Sequence, residues 1–357
     1  MTSTASTNLT VVVSSQIEYY GEYLGIFRNN YTAVHGYLSL IVCVFGISAN
    51  ILNIVVLTRK SIISPTNAIL TGLAVADMLV MFSYLPFAIH NYIRTDLPKA
   101  EKYSYGWAVF TLFHAHFTVV FHTISIWLTV TVAIWRYMAV SCPATNLNWG
   151  SMIRAKYAII STYVNCVVFC IPMYLTFTVR EIEENRVLIY NVDFSEIAKE
   201  KNGLLQKVNF WIFSVLTKLV PCVALTGLSF GLIRVLYQAD LRKQRLKNRV
   251  ESDRSCDRTT RMLLVVLLLF LLTEFPSGIL ALLSGILGES FFHQVYLNFG
   301  EVMDILALIN SAINFIIYCS MSRQFRDTFA QLFMPKIVSQ WKPYPADPNS
   351  THATTFV

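Results

Sequence analysis

Ionisable and hydrogen-bonding side chains recur at helical spacing inside stretches that are otherwise apolar. His114, Thr118, His122, Ser125, Thr129 and Arg136 share roughly an 80° arc at about 100° per residue. Asp304, Ser311, Asn314 and Tyr318 share a similar arc, with Glu301 and Asn310 on its flanks. Asn50, Asp77 and Glu274 add one group each to three further apolar stretches. Carboxylates, imidazoles and amides in such a setting can recognise a cation, hold a hard metal ion, or exchange partners in a charge network. Intramembrane hydrolysis would need paired aspartates or Ser/His at a water cavity. No such motif surrounds Asp77, Asp304 or His122, so an enzyme is not expected. Arg136, between Trp135 and Tyr137, closes the longest polar stripe at its inner end. It can pass a change at one end of the path to a partner at the other. The plainer alternative is a static core whose polar groups satisfy one another. The length of the path favours an arrangement that can change.

The elements that position these groups are long. The chain has 357 residues, 55% hydrophobic and 14% charged, against about 25% charged in an ordinary soluble domain. The apolar residues gather into seven blocks near Tyr37–Leu57, Ala68–Ile89, Phe113–Val140, Tyr157–Val179, Val208–Leu236, Met262–Leu287 and Val295–Cys319. Each has about the 20 residues needed to cross hydrocarbon. Backbone groups in lipid must be satisfied internally, so the blocks are helices. Their continuous runs exclude a barrel. The fold class is an all-α membrane protein, a seven-transmembrane helix bundle with a short C-terminal amphipathic helix. Residues 1–35 read as a polar outer tail, 36–320 as the bundle, 321–334 as the amphipathic helix and 335–357 as an inner tail. No secretory signal is visible, and the first span is expected to act as its own insertion signal.

Lys/Arg counts orient the bundle. One side of the seven spans holds 18 cations and 6 acids, the other 9 cations and 11 acids. The positive side faces the cytoplasm, which places the N-terminus outside at the plasma membrane. The net charge of +7 is therefore a topology signal and does not indicate nucleic-acid binding. Two glycosylation sequons, at Asn8 and Asn30, fall in the outer segment. None of the seven cysteines lies in an outer loop, so no extracellular disulfide framework is expected. The basic stretch 238–261 is expected to extend the fifth and sixth helices into the cytosol. No internal repeat supports a transporter built from inverted halves. The C-terminal Thr355-Phe356-Val357 resembles an end bound by PDZ domains, although a plain tail is the simpler reading.

Motifs in order along the chain carry a resemblance over about residues 36 to 333. They are Gly46-Ile47-Ser48-Ala49-Asn50, Leu73-Ala74-Val75-Ala76-Asp77, Arg136-Tyr137-Met138-Ala139-Val140 followed by Pro143, then Pro221, Pro276 and Asn314-Phe315-Ile316-Ile317-Tyr318. The chain resembles rhodopsin-like (class A) G-protein-coupled receptors. Its departures narrow the likeness. Trp135 replaces the usual acid before the arginine, Glu274 the usual tryptophan before the sixth-span proline, Phe315 the usual proline, and Thr111 the usual disulfide cysteine. With Ser64–Asp77, these features look like the invertebrate myosuppressin/FMRFamide-like neuropeptide receptors.

That resemblance implies a secreted peptide ending in Arg-Phe-amide, signalling through a heterotrimeric G protein of the Gi/o type, with arrestin and membrane lipids as further partners. It implies that Asp304, Glu274 or Glu301 receives the ligand arginine. Tyr84, Phe87, Phe117, Phe121, Phe275 and Tyr296 are candidates for the aromatic lining. Asp304 pairing internally with His90, His114 or Lys218 is the alternative. It also implies that His122 and Glu274 face each other beneath the ligand and hydrogen-bond. Asp77, Ser125, Asn310, Ser311 and Asn314 match a buried allosteric sodium site, with a protonated Asp77 as the alternative; no other cofactor is implied. Arg136, Tyr137, Trp135, Asn314 and Tyr318 match the coupling switch. Trp135 and Tyr137 are expected to restrain the arginine by packing, with Asp253 and Asp257 as distant acids. A chemosensory receptor for a small molecule is the runner-up function.

Overall fold

The computed structural model describes Tyr19 and residues 21–141, 151–184, 186–245, 252–287 and 289–334. Asn8, Cys142, Cys256 and the C-terminal Thr355–Val357 lie outside the described residues or side chains. Among the described residues, seven helices are long and apolar enough to span a membrane. α1 is Gly21–Leu57. α2 is Pro65–Ala88, continued by a π-helical turn Ile89–Ile93. α3 is Tyr105–Ser141, and α4 runs through Met152–Phe169 and Ile171–Thr176. α5 joins Glu196–Trp211, a π-helical Ile212–Leu219 and Val220–Arg245. α6 is Ser252–Leu287. α7 joins Phe292–Tyr296, Leu297–Phe299 and Gly300–Met321. α8, Arg323–Phe333, follows at once.

Local chemistry explains the boundaries. Serines begin α2, α4, α5 and α8: Ser64, Ser151, Ser195 and Ser322 each accept a bond from the backbone N–H three residues on. Pro65 then occupies the first turn of α2, where its missing N–H is harmless. Two of the prolines inside helices fall near wide turns. Pro86 precedes the π turn of α2, and Pro221 follows that of α5. A lost i→i−4 bond at proline lets the backbone slip to the wider pattern.

Polarity is inverted relative to a soluble protein. Phe82, Val223, Phe230 and Leu272 are 67–70% exposed, whereas Asp77 and Glu274 are 1% exposed. The apolar exterior faces lipid and the polar groups face one another. Small residues allow close approach at the centre. A Cβ at Gly46 would overlap Met81 Sδ on α2 and come within 3.0 Å of Ala312 on α7. Gly46→Val should therefore destabilise the bundle by about 1–3 kcal/mol through overpacking. Thermal unfolding of purified receptor checks this, and an unchanged midpoint would contradict it.

Two expectations need correction. α1 begins at Gly21, so the described part of the segment expected as an outer tail to residue 35 is mostly helix, with Asn30 exposed upon it. The second outer connection carries a β-hairpin, the one departure from an all-α fold among the described residues. β1 (Phe177–Glu184) pairs antiparallel with β2 (Val187–Phe194), Phe177 opposite Phe194. The helices extend into the basic stretch, α5 to Arg245 and α6 from Ser252.

Sulfur does not hold the hairpin. Tyr190 N–H donates to Tyr103 O at 2.8 Å, its ring meets Tyr105 edge-on at 5.4 Å, and Lys99 pairs with Glu184 at 2.8 Å. At its base Arg180 bridges Asp193 and Glu196, and Lys199 joins Asp193. The Phe194 backbone N–H, aided by Lys199 and Arg180, holds the Asp193 carboxyl below its usual range. The clamp is therefore complete above the ordinary carboxylate pKa and is lost only as pH falls through the depressed value. A membrane-impermeant reductant should leave ligand response unchanged at neutral pH. A reductant-dependent loss would contradict this account.

Candidate functional site

Three ionisable residues meet in the middle of the bundle. His122 comes from α3, Glu274 from α6 immediately before the Phe275-Pro276 step, and Lys218 from the π-helical segment of α5. Lys218 Nζ lies 2.6 Å from Glu274 Oε2 and 3.0 Å from His122 Nε2, and the imidazole nitrogen is 3.2 Å from the same carboxylate oxygen. These distances fit an ammonium donating to the carboxylate and placed against the ring nitrogen. The wide turn buries Ser214, Thr217 and Lys218 together. Lys218 is 6% exposed. The expected His122–Glu274 contact is present, but Lys218 is the tighter partner of the carboxylate. A lone lysine in an apolar span was the available signal for it.

A second acid stands nearer the outside and is differently placed. Asp304 of α7 keeps accessible surface although its carboxyl stands deep among neighbouring side chains of the bundle. Tyr31, Tyr84, Tyr92 and Tyr296 surround it within electrostatic reach. No Lys, Arg or His among the described residues forms an ion pair with it. The three internal partners weighed for it are engaged elsewhere. His90 stacks on Trp107 at 3.6 Å and bonds Lys102 O at 3.0 Å. His114 Nδ1 bonds Ser83 at 2.8 Å and Thr118 at 3.2 Å. Lys218 is held by Glu274.

The other candidates sort by their contacts. Glu301, 6% exposed, accepts from Arg28 Nε at 3.3 Å and Thr32 Oγ1 at 3.2 Å, a strut between α7 and α1. Glu301 and Glu274 each have an internal cation, Arg28 and Lys218, which sets them apart from Asp304. Tyr84 is buried, with its hydroxyl 2.9 Å from His35 Nε2. The rings of Phe117 and Phe121 lie 4.5 Å apart along α3, tilted by 41°, and Phe121 reaches Tyr163 of α4 at 6.4 Å. Phe121 also packs against the cluster formed by α1, α2 and α7. Phe275 is 45% exposed on the bundle exterior. Phe87 stacks on His114 at 4.3 Å, and Tyr296 on Phe292 at 5.3 Å.

Below the triad, Asp77 is a hub. Its Oδ1 accepts from Ser125 at 2.6 Å and its Oδ2 from Asn314 at 3.1 Å. Asn50 donates to Ser311 O at 3.0 Å and to Gly46 O at 2.9 Å. Ser311 Oγ and Asn50 Oδ1 are buried without a protein partner. Oxygen donors with unspent lone pairs around one carboxylate suit a hard cation. Asn310, half-buried, makes no hydrogen bond to this group.

At the inner end, half-buried Trp135 packs against the α2–α3–α4 core. Tyr137 lies against Gly231 of α5, where a Cβ would come within 3.0 Å of its ring. Arg136 is half-buried between them. Tyr318 is buried with its ring 5.6 Å from Phe325 of α8. Phe315, in place of proline, packs edge-on against Phe325 and Phe329 at 5.9 and 5.7 Å, which seats α8 beneath α7. The side chains of Asp253 and Asp257 lie outside the described set.

A seven-helix membrane bundle with a buried polar path and an arginine at one end of it has the build of a transmembrane receptor. Residues 37–336 match the model of the serpentine type 7TM GPCR chemoreceptor Srw family, and the chain belongs to that family of G-protein-coupled receptors. It is a multi-pass signalling receptor and not an enzyme. It is 33% identical to the G-protein coupled receptor dmsr-1 of Caenorhabditis elegans, over 92% of this chain and 75% of that protein. It is 27% identical to the sex peptide receptor of Drosophila melanogaster, over 86% and 74%. It is 26% identical to the FMRFamide receptor of the same fly, over 87% and 55%.

Proposed function

We propose that this receptor stands in the plasma membrane with its N-terminus outside and binds a secreted, amidated neuropeptide of the Arg-Phe-amide, FMRFamide-like or myosuppressin-like class. It signals through a heterotrimeric G protein of the Gi/o type. The observation that carries this reading is Asp304, an acid that forms no ion pair among the described residues and is ringed by tyrosines. A guanidinium needs a carboxylate fork and tolerates aromatic faces beside it. Tyr31, Tyr84, Tyr92 and Tyr296 supply those faces. The relatives named for peptides, the sex peptide and FMRFamide receptors, support the ligand class.

The mechanism follows from the neighbours. A cation on Asp304 draws on α7, whose Asn314 is bonded to Asp77 and through it to Ser125 of α3. The aromatic end of the peptide presses towards His122, the most accessible member of the triad, with a side chain 12% exposed. Rearranging His122–Lys218–Glu274 changes the spacing of α3, α5 and α6. That spacing governs whether Arg136 meets the G protein. Trp135 and Tyr137 restrain the arginine by packing, and Tyr318 is released from α8 in the active form. Arrestin, membrane lipids and, at the C-terminus, a PDZ domain are further partners. Asn8 and Asn30 carry glycans.

Asp77, Ser125, Ser311 and Asn314 would hold a sodium ion, with Asn310 at its edge, and the ion would supply a positive charge that fixes the resting form. Agonist affinity should fall several-fold as sodium replaces a large organic cation, and Asp77→Asn should abolish that dependence. Affinity indifferent to sodium in the native receptor would contradict the site.

A panel of amidated peptides on cells expressing the chain, read by G-protein activation, tests the proposal. Activation by peptides ending in Arg-Phe-amide, lost when the terminus is a free acid, is expected. The family's description as chemoreceptors favours a second reading, a small-molecule odorant. Activation by odorants but by no peptide would establish that reading instead.

A further inference from the structure

A cleft at the cytoplasmic level of the bundle is independent of the ligand path. It lies between the turn after α1 and one side of α8, lined by Thr58, Arg59, Lys60, Ser61, Thr328, Gln331 and Leu332. Arg59 and Lys60 are exposed, and among the described residues neither meets an acid. The one acid of α8, Asp327, is taken by Arg323 of the same helix at 3.6 Å. Thr58 donates its hydroxyl to Ile54 O. No side-chain partner occupies Ser61, Thr328 or Gln331 among the described residues. The turn is braced by Ile62 N–H donating to Arg59 O at 3.1 Å, so the two cations project from a fixed backbone.

We infer that this cleft binds a phosphomonoester-bearing anion, and that its source is the headgroup of an inositol phospholipid of the inner leaflet. A guanidinium fork beside an ammonium matches a doubly charged phosphate, while Ser61 and Gln331 offer neutral donors for ring hydroxyls. The lipid source is argued from the rim. Ile63, Phe333 and Met334 are exposed apolar residues beside the cleft, 58%, 46% and 45% accessible, and Leu332 lies inside it. A soluble phosphate has no use for an apolar rim, whereas acyl chains do. Basic groups just inside a membrane also face the anionic leaflet. The plainer reading, a solvated basic turn obeying the positive-inside rule, explains the charges but neither the concavity nor the neutral donors.

The test uses purified full-length receptor in phosphatidylcholine nanodiscs with a small fraction of phosphatidylinositol bisphosphate, with bound lipid counted by native mass spectrometry. Wild type should retain this lipid about ten-fold better than Arg59→Ala/Lys60→Ala, and better than phosphatidylserine at equal charge. Ser61→Asp, which sets an acid in the cleft, should reduce retention as well. All variants should unfold at the wild-type temperature, because the residues changed are exposed. Equal retention by wild type and variants overturns the site. Displacement of the lipid by equimolar soluble inositol trisphosphate overturns the membrane source and assigns a free phosphate. Unchanged lipid retention with weakened G-protein coupling in pure phosphatidylcholine would make the cleft a protein contact and overturn the inference.

Discussion

Replacing Lys218 by Met should remove most folded receptor from the cell surface. Glu274 would keep its buried position with His122 as its only close partner, and breaking a buried ion pair from one side costs about 3–5 kcal/mol. Its Oε1 already lacks a protein partner, so the network has no reserve to absorb the loss. Lys218→Met/Glu274→Met should recover much of that stability, because two apolar side chains of similar volume replace two desolvated ions. The double variant should still signal poorly, since α5 and α6 no longer share a polar link with α3. Surface expression and thermal unfolding of the two single variants and the double variant check this. A Lys218→Met receptor as stable as wild type would show that the ammonium does not neutralise Glu274.

Changing Asp304 to Asn should cost the peptide about a hundred-fold or more in potency with normal surface expression. Truncating one side of a close charge pair costs about 2–5 kcal/mol, and among the described residues Asp304 has no ion-paired cation to be stranded by the change. Glu301→Gln should differ in kind. Its carboxylate ties Arg28 and Thr32 of α1 to α7, so the variant should lose stability and shift potency only modestly. Glu274→Gln should alter basal signalling rather than recognition of the arginine. A Glu274→Gln receptor with unchanged expression, potency and basal signalling would remove Glu274 from the switch altogether. Radioligand affinity should separate the three acids, because expression alone cannot.

How much of this was legible in the sequence depends on the kind of contact. The spans and their order follow from apolar length, and the polar stripe on α3 follows from helical spacing. The hub of Asp77, Ser125 and Asn314 was legible through a motif on each of three helices. Lys218 was not, because its inward position depends on the π turn before Pro221, and a wide turn leaves no periodic mark. The choice among Glu274, Glu301 and Asp304 was open because it rests on which cation each acid meets in space. Arg28 is 273 residues from Glu301 in sequence, and Lys218 is 56 from Glu274. The outer part of α1 was missed because Glu22, Arg28, Asn29 and Asn30 break the apolar run while the helix continues beyond the hydrocarbon. The hairpin was missed because its strands mix charges with apolar residues and its turn at Arg186 carries no glycine, although Arg186 adopts φ 62°.

The central claim is that Asp304 reads the cation of the ligand. A double-mutant cycle between receptor and peptide tests it most directly, using the most potent amidated peptide and its analogue with arginine replaced by citrulline, which keeps the shape and removes the charge. On wild type the analogue should lose about a hundred-fold in affinity. On Asp304→Asn the two peptides should bind within a few-fold of each other, so that the two losses do not add. If the citrulline peptide loses as much affinity on Asp304→Asn as on wild type, the arginine is read elsewhere and the account is wrong at its centre.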